Sequence, residues 1–286
     1  MTPLPATLRR LERAPRTASL IVTVWGDAVV PRGGSLWLGT LQAILDRFGC
    51  NEGQVRTAMS RLTEEEWLIR TRRGRLSFYR LGPRGEASFA AAARRIYDPP
   101  RAGLPPWDGA FRLVLSADAA VEEALAPLGF VPLAPGLLVG TDGALAELPA
   151  AAPALLAGLR NPAEAAEVAA RAWTASPAVA AGYRRFTADF APLLAGAASA
   201  VPPDEALPLR LLLVHEYRRV ALRDPGLPPA LLPPGWPGAE ARALAATLYR
   251  RLLPASEAWL TDHGRAEGGP LPHAALATLT SRFRGR

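Results

Sequence analysis

Five polar side chains between Asn51 and Glu64 have the types that read a DNA major groove. They are Gln54, Arg56, Thr57, Ser60 and Arg61. Gln and Arg make paired hydrogen bonds to adenine and guanine edges, and Ser and Thr serve bases or phosphates. Four arginines follow, Arg70, Arg72, Arg73 and Arg75, gathered around Gly74. Such a cluster suits phosphates or the narrow minor groove. A third set lies far along the chain, where His215 and Arg219 stand four apart on one helical face beside Arg218, and Arg223 leads into a proline-rich loop ending at Trp236. A guanidinium fork matches carboxylate and phosphate geometry, so this set fits capture of an anionic ligand, with Trp236 over an apolar or aromatic portion. Each set also has a plainer reading. The first two fit a solvated helix face and a basic surface, and the third fits Arg223–Asp224 ion pairs fastening a loop around a hydrogen-bonded core His215.

The elements that must position these residues are legible around them. Asn51 is a good N-cap, because its side-chain oxygen accepts from the free amides of a first helical turn. Val55, Ala58, Met59 and Leu62 then fall on one side at about 100° per residue, which leaves the five polar candidates on the other. Upstream, Ile21, Val24, Trp25 and Ala28 form the stripe of a first helix that Val30-Pro31-Arg32-Gly33-Gly34 ends. Leu36–Leu38 is a short strand, and Leu41, Ile44, Leu45 and Phe48 mark a second helix stopped by Gly49. Downstream, Trp67–Arg70 and Leu76–Leu81 flank Thr71–Arg75 as a β-hairpin, and Pro83 opens a helix through Ile96. Helix, turn, helix and hairpin in that order form a winged helix-turn-helix.

Charge follows the same division. Residues 1–101 hold 17 Arg against 9 acidic residues, a net of +8, while residues 102–286 hold 16 Arg against 17, a net of −1. One basic end points to a polyanion, since neutralising phosphates releases counterions. One cysteine, Cys50, excludes an internal disulfide and reads as a small residue in the turn between two helices. Three scattered histidines offer no metal-site spacing, so neither a metal nor a cofactor is expected. The amino terminus lacks a signal-peptide core and no long apolar run crosses a membrane, so a cytoplasmic location is expected. No GxSxG, Walker or GxGxxG motif occurs, and no catalytic residue is assigned. A metal-dependent nuclease built on Asp118 or Asp142 is the enzymatic alternative, set against helix and turn capping by those two residues. A winged helix used only for protein contacts is another.

Proline-rich Asp98–Asp108 and Val201–Asp204 act as breaks. Between them, strand Phe111–Leu115, helix Ala119–Leu128 and strands Phe130–Leu133 and Leu137–Gly140 suit a small ferredoxin-like module, with a further helix and strand in Ala144–Leu159. Asn161 and Ser176 are read as caps of later helices, Asp204 as the cap of one to Leu222, and Gly238 as the start of one to Leu252, before a shorter helix from Ser256. Trp173, Tyr183, Phe186 and Phe190 are expected in the core. The fold class is therefore a helix-rich α+β chain in three parts: a winged helix-turn-helix over 1–98, a ferredoxin-like dimerisation or scaffold module over 107–160, and a helical ligand-sensing domain over 161–286.

The strings SLIVTVWGDAVVPRGGSLWLGTL, FGCNEGQVRTAMSRLTEEEWL, RRGRLSFYRL and RRIYDPP resemble the amino-terminal domain of the PaaX-like transcriptional repressors, regulators of phenylacetic acid degradation operons. The resemblance resumes in WDGAFRLV, LGFVPLAPGLLVG and LLLVHEYRRVALRDPGLPPALLPPGWPG, and so spans nearly the whole chain. It implies repression relieved by an aryl-CoA thioester such as phenylacetyl-CoA. Paired half-sites on DNA imply in turn a homodimer on a palindromic double-stranded operator.

Overall fold

Leucines and valines at helical spacing build the first third of the chain. The computed structural model describes residues 3–116, 118–142, 153–158, 162–174, 176–195 and 201–284. After α1 (Pro3–Arg10), which the sequence did not suggest, α2 (Thr17–Val24) buries Leu20, Ile21 and Val24. The helix does not stay regular to Ala28. It widens into a π-helical turn at Trp25–Val29 and tightens into a 3₁₀ turn at Val30–Arg32. The wide turn carries Asp27 into the interior at 1% exposure. Next come β1 (Leu36–Trp37), α3 (Leu38–Asp46), α4 (Glu52–Glu64), β2 (Leu68–Arg73), β3 (Leu76–Leu81) and α5 (Pro83–Tyr97). The three strands form an antiparallel sheet in the order β1-β3-β2. At its root, a Cβ on Gly82 would lie 2.3 Å from the Glu66 carbonyl oxygen, so glycine there lets the chain turn closely into α5.

The middle of the chain contains β4 (Ala110–Leu115), α6 (Ala119–Leu125), β5 (Val131–Ala134), β6 (Leu137–Gly140), β7 (Ala154–Gly158) and α7 (Pro162–Ala172). Its four-stranded sheet has the order β5-β6-β4-β7, with every neighbouring pair antiparallel. Alternation along β4 serves both faces. Val114 packs with Val121 and Leu125 of α6, while Phe111 packs with Ala165, Ala169 and Trp173 at α7. The expected strand near Leu159 is β7, whereas the helix expected in the same stretch falls in 143–152, outside the described residues, as does the cap at Asn161. Ser176 heads the next helix, but its buried hydroxyl has no partner among the described residues.

The last part holds α8 (Ser176–Phe190), α9 (Pro192–Ala195), α10 (Pro203–Ala221), α11 (Gly238–His263), the short pair β8 (Arg265–Ala266) and β9 (Gly269–Pro270), and α12 (Leu276–Ser281). Two expectations change here. Asp204 sits inside the first turn of α10, paired with Arg47, and not at the N-cap, which Pro202 occupies. Nor does α11 stop near Leu252. It runs 26 residues through Pro254, because Leu252, Leu253 and Leu260 stay buried on either side of the proline and Ser256 donates to the Leu252 carbonyl at 2.6 Å. Packing outweighs the backbone hydrogen bond that proline removes.

The chain forms two compact units, and neither is a continuous stretch. One joins Met1–Pro99 with Tyr183–Leu222 and Ala239–Arg286; the other joins Pro100–Gly182 with Arg223–Gly238. The linear division into 1–98, 107–160 and 161–286 is thus not the division into compact bodies. In the first unit, Leu20, Ile21, Val24, Leu41, Ile44, Val55, Met59 and Leu62 share one core with Leu207, Leu211, Leu260 and Leu271. Each buried leucine there contributes about 1.5–3 kcal/mol. Among the described residues, no helix is long and apolar enough to cross a membrane.

Candidate nucleic-acid interface

Asn51 opens α4 through a reciprocal capping box: its side chain accepts from the Gln54 amide at 2.9 Å, and its own amide donates to the Gln54 side chain at 2.9 Å. Two free donors of the first turn are satisfied, so α4 begins at a defined residue. Val55, Ala58, Met59 and Leu62 are buried, and Gln54, Arg56, Thr57, Ser60 and Arg61 are all exposed on the other side. Their present partners lie on the same helix. Gln54 is engaged in the cap, Ser60 donates to Glu64 at 2.9 Å, Arg61 pairs with Glu65 at 2.7 Å, and Arg56 stands 4.0 Å from Glu52. Exposed pairs one helical turn apart are worth about 0.3–0.5 kcal/mol each, little enough for phosphates to replace them.

The hairpin divides its arginines between two faces. Leu68, Arg70 and Arg72 alternate on one face of β2, opposite Leu81, Tyr79 and Ser77 of β3. Leu68, Tyr79 and Leu81 are buried in the core with α4, so Arg70 and Arg72 continue the helix-packing face outward. Arg70 donates to the Ser77 hydroxyl at 2.8 and 3.3 Å, which holds it along the strand. Arg72 and Arg75 are exposed on either side of Gly74, whose φ of 58° makes the tight tip. Arg73 faces the opposite way and pairs with Glu267 at 2.9 Å. Cys50 is buried between α3 and α4, with the Thr17 hydroxyl 3.6 Å from its sulfur.

The five residues expected to hold a ligand are divided between the two units. His215, Arg218 and Arg219 lie on α10 in the first, and Arg223 and Trp236 in the second. His215 is 1% exposed, and its Nδ1 lies 3.0 Å from the Thr23 hydroxyl. Burial, and then the neighbouring Arg218 and Arg219, pull its pKa down to about 3. It is therefore a neutral core side chain at neutral pH, and Glu216, 3.7 Å from its Nε2, is not its ion-pair partner under those conditions. Arg219 pairs with Glu216 at 2.9 Å. Arg218 donates to the Thr23 hydroxyl at 2.9 Å and to the Ser19 carbonyl and hydroxyl at 2.9 and 2.8 Å. In the second unit Asp224 accepts from the Gly226 amide at 2.8 Å, which tightens the turn after Arg223.

The acidic residues of the enzymatic alternative are both engaged. Asp118 caps α6 by accepting from the Ala120 amide. Asp142 is held by Arg101 at 2.5 Å and by the Thr141 hydroxyl, an ion pair where capping was expected. Among the described residues there is no cluster of three or more metal-ligating side chains.

A buried polar cluster behind the interface escaped the sequence. Asp27 accepts from Arg210 at 2.8 Å, from Tyr97 at 2.8 Å and from Arg282 at 2.7 Å, while Glu257 binds Arg210 at 2.7 Å and Arg32 at 2.9 Å. Burial holds Tyr97 well above the usual phenol range and pushes Tyr249 up to about 12, so both are neutral, Tyr97 donating to Asp27 and Tyr249 accepting from Arg282 at 2.9 Å. The only local signal was a lone Asp in an otherwise apolar helix.

This geometry defines a class: a helix-rich α+β chain with small antiparallel sheets, presenting one exposed polar helix beside an arginine-bearing hairpin. Residues 16–85 match the PaaX-like protein family and residues 173–262 the PaaX-like protein C-terminal domain. The chain is 38% identical, over an alignment of 288 residues, to the transcriptional repressor PaaX of Escherichia coli (strain K12), covering 93% of this chain and 90% of that one. An uncharacterised protein of Mycobacterium tuberculosis shares the fold at a TM-score of 0.50 and 23% identity, over 85% of this chain and 99% of its own. The chain belongs to the PaaX-like family.

Proposed function

We propose that this protein is a DNA-binding transcriptional repressor of an aromatic-acid catabolic operon, released from its operator by an aryl-CoA thioester such as phenylacetyl-CoA. The observation that carries this reading is the exposed ridge of α4 with Arg70, Arg72 and Arg75 beside it, in a chain 38% identical to a named repressor. We read residues 1–98 as a winged helix-turn-helix, in which α4 enters the major groove through Gln54, Arg56, Thr57, Ser60 and Arg61 while the hairpin meets the backbone. The strand order β5-β6-β4-β7 supports a ferredoxin-like reading of the middle module. The working form is a cytoplasmic homodimer on a palindromic operator, without enzymatic activity. Ligand release requires the effector to prefer one state of the dimer by a few kcal/mol.

A gel-shift titration against the gene's own promoter region tests this. Wild-type protein is expected to bind and to release on addition of phenylacetyl-CoA, and the Arg56→Ala/Arg61→Ala variant to lose binding. Absence of promoter binding removes the repressor reading, and binding indifferent to every aryl-CoA thioester removes its ligand half.

A further inference from the structure

A cavity of about 120 Å³ opens within the first unit, between α2, α5 and α10. Its walls are Val22 and Gly26 from α2 and the turn after it, Phe89 and Ala92 from α5, Trp67 at the root of the hairpin, and Arg218 from α10. Trp67 and Phe89 meet edge to face at 6.0 Å, and a Cβ on Gly26 would lie 2.6 Å from the Phe89 ring, so glycine there is what lets the ring lie against the helix. Phe89, Ala92 and Arg218 are all partly exposed, which leaves the cavity a mouth. A dry apolar cavity of about 150 Å³ accepts benzene, so this one is of the size of a single six-membered ring. Its lining is mostly apolar and aromatic, with Thr23, Asp27, Ser88 and Arg218 among its polar members.

Arg218 stands apart among them. Its Nε and Nη2 bond only neutral acceptors, Thr23 and Ser19, and no carboxylate forms an ion pair with it among the described residues. That sets it apart from Arg32, Arg210, Arg219 and Arg282, each of which has an acidic partner. Removing a guanidinium from water without a paired carboxylate is unfavourable, and burial lowers the pKa of this one, against the weaker attraction of Glu216. An acceptor carried by a ligand would offset the penalty.

We propose that this cavity takes a single-ring aromatic acyl group, the ring lying against Trp67, Phe89 and Ala92 and the carboxylate or thioester carbonyl accepting from Arg218. The site rests on the effector-responsive reading above and gives it a location. Its position also supplies the coupling. The Trp67 amide donates to the Leu62 carbonyl of α4 at 2.9 Å, and the Trp67 carbonyl accepts from the Gly82 amide at 2.9 Å where the hairpin ends. A ring pressed on the Trp67 side chain therefore acts on the residue that ties α4 to the hairpin.

The test uses the full-length chain with phenylacetate and phenylacetyl-CoA as probes, reading both the thermal shift of the protein and the release of labelled promoter DNA. A response to both probes places the free acid and the thioester in one site; a response to the thioester alone assigns the acceptor to its carbonyl. Ala92→Leu fills the cavity from α5 and is expected to weaken the probe-induced shift and the release at least tenfold while leaving promoter affinity unchanged. Arg218→Gln is expected to weaken the probes about tenfold with the cavity open. Should Ala92→Leu misfold, Ser88→Leu on the same wall replaces it. Full release in the cavity-filled variant overturns the site and leaves the repressor reading intact. A thermal shift lost on filling, without any release of DNA by wild type, upholds the site and overturns the effector role. No shift and no release in wild type overturns both.

Discussion

His215 shows how one side chain changes meaning once its surroundings are known. In the sequence it stands beside two arginines and suits anion capture; in the fold it is buried against Thr23, with its pKa pulled down to about 3. The unfolded imidazole takes up a proton near pH 6.5, and the folded one does so only near 3. The unfolded state therefore binds more protons across that window, and stability is lost as the pH falls through it. Between pH 7 and pH 5 the expected loss is about 2 kcal/mol from this residue. Melts of wild type and His215→Gln at the two pH values check it: the variant is expected to be the less sensitive, and equal slopes would assign the loss elsewhere. The neighbouring Arg218 keeps its candidacy for the opposite reason, since among the described residues no carboxylate forms an ion pair with it. Nothing in the string HEYRR distinguishes the two.

At the scale of elements, the hairpin carries a clear expectation. Arg72 and Arg75 extend from its tip into solvent, whereas Arg73 turns to the other face and binds Glu267. Each neutralised phosphate steepens the salt dependence of DNA binding by about 0.9 in log–log slope. Arg72→Ala/Arg75→Ala is expected to weaken binding to specific and random duplexes alike and to flatten the salt slope by about 0.9 for every phosphate left without its arginine. Arg73→Ala is expected to have the smaller effect. Anisotropy titrations at several salt concentrations measure both. Most of this element was legible, because strand alternation and a glycine at the tip are local properties. The division of its arginines between faces was not, since Glu267 is 194 residues away. The same holds for α11, where a proline read locally ends a helix that long-range packing carries on.

For the whole molecule, the consequential finding is that the first unit draws on both ends of the chain. Leu207, Leu211, Leu260 and Leu271 complete the core under α2 and α4, and Asp27 gathers Arg210, Tyr97 and Arg282 in the interior. Breaking a buried ion pair by removing one partner's charge costs about 3–5 kcal/mol. Asp27→Asn keeps the size of the side chain but strands the Arg282 guanidinium and leaves Arg210 with Glu257 alone, so a loss of that order is expected in denaturant unfolding. Restoration of stability by combining it with Arg210→Met would assign the loss to uncompensated charge; an unaffected midpoint in Asp27→Asn would show that the cluster contributes little. Because this interior is shared, α10 and α4 belong to one packed body.

The order of helices, the capped start of α4, its buried stripe and the arginines of the hairpin were determined by the sequence alone, because periodicity, caps and turn residues act over a few positions. Tertiary structure alone decided which charges are buried and paired, that separate stretches of the chain make one compact body, and that Gly26 after α2 and Ala92 on α5 line a cavity beside Trp67 and Arg218. Those outcomes depend on contacts between residues tens to hundreds of positions apart, for which spacing along the chain carries no signal.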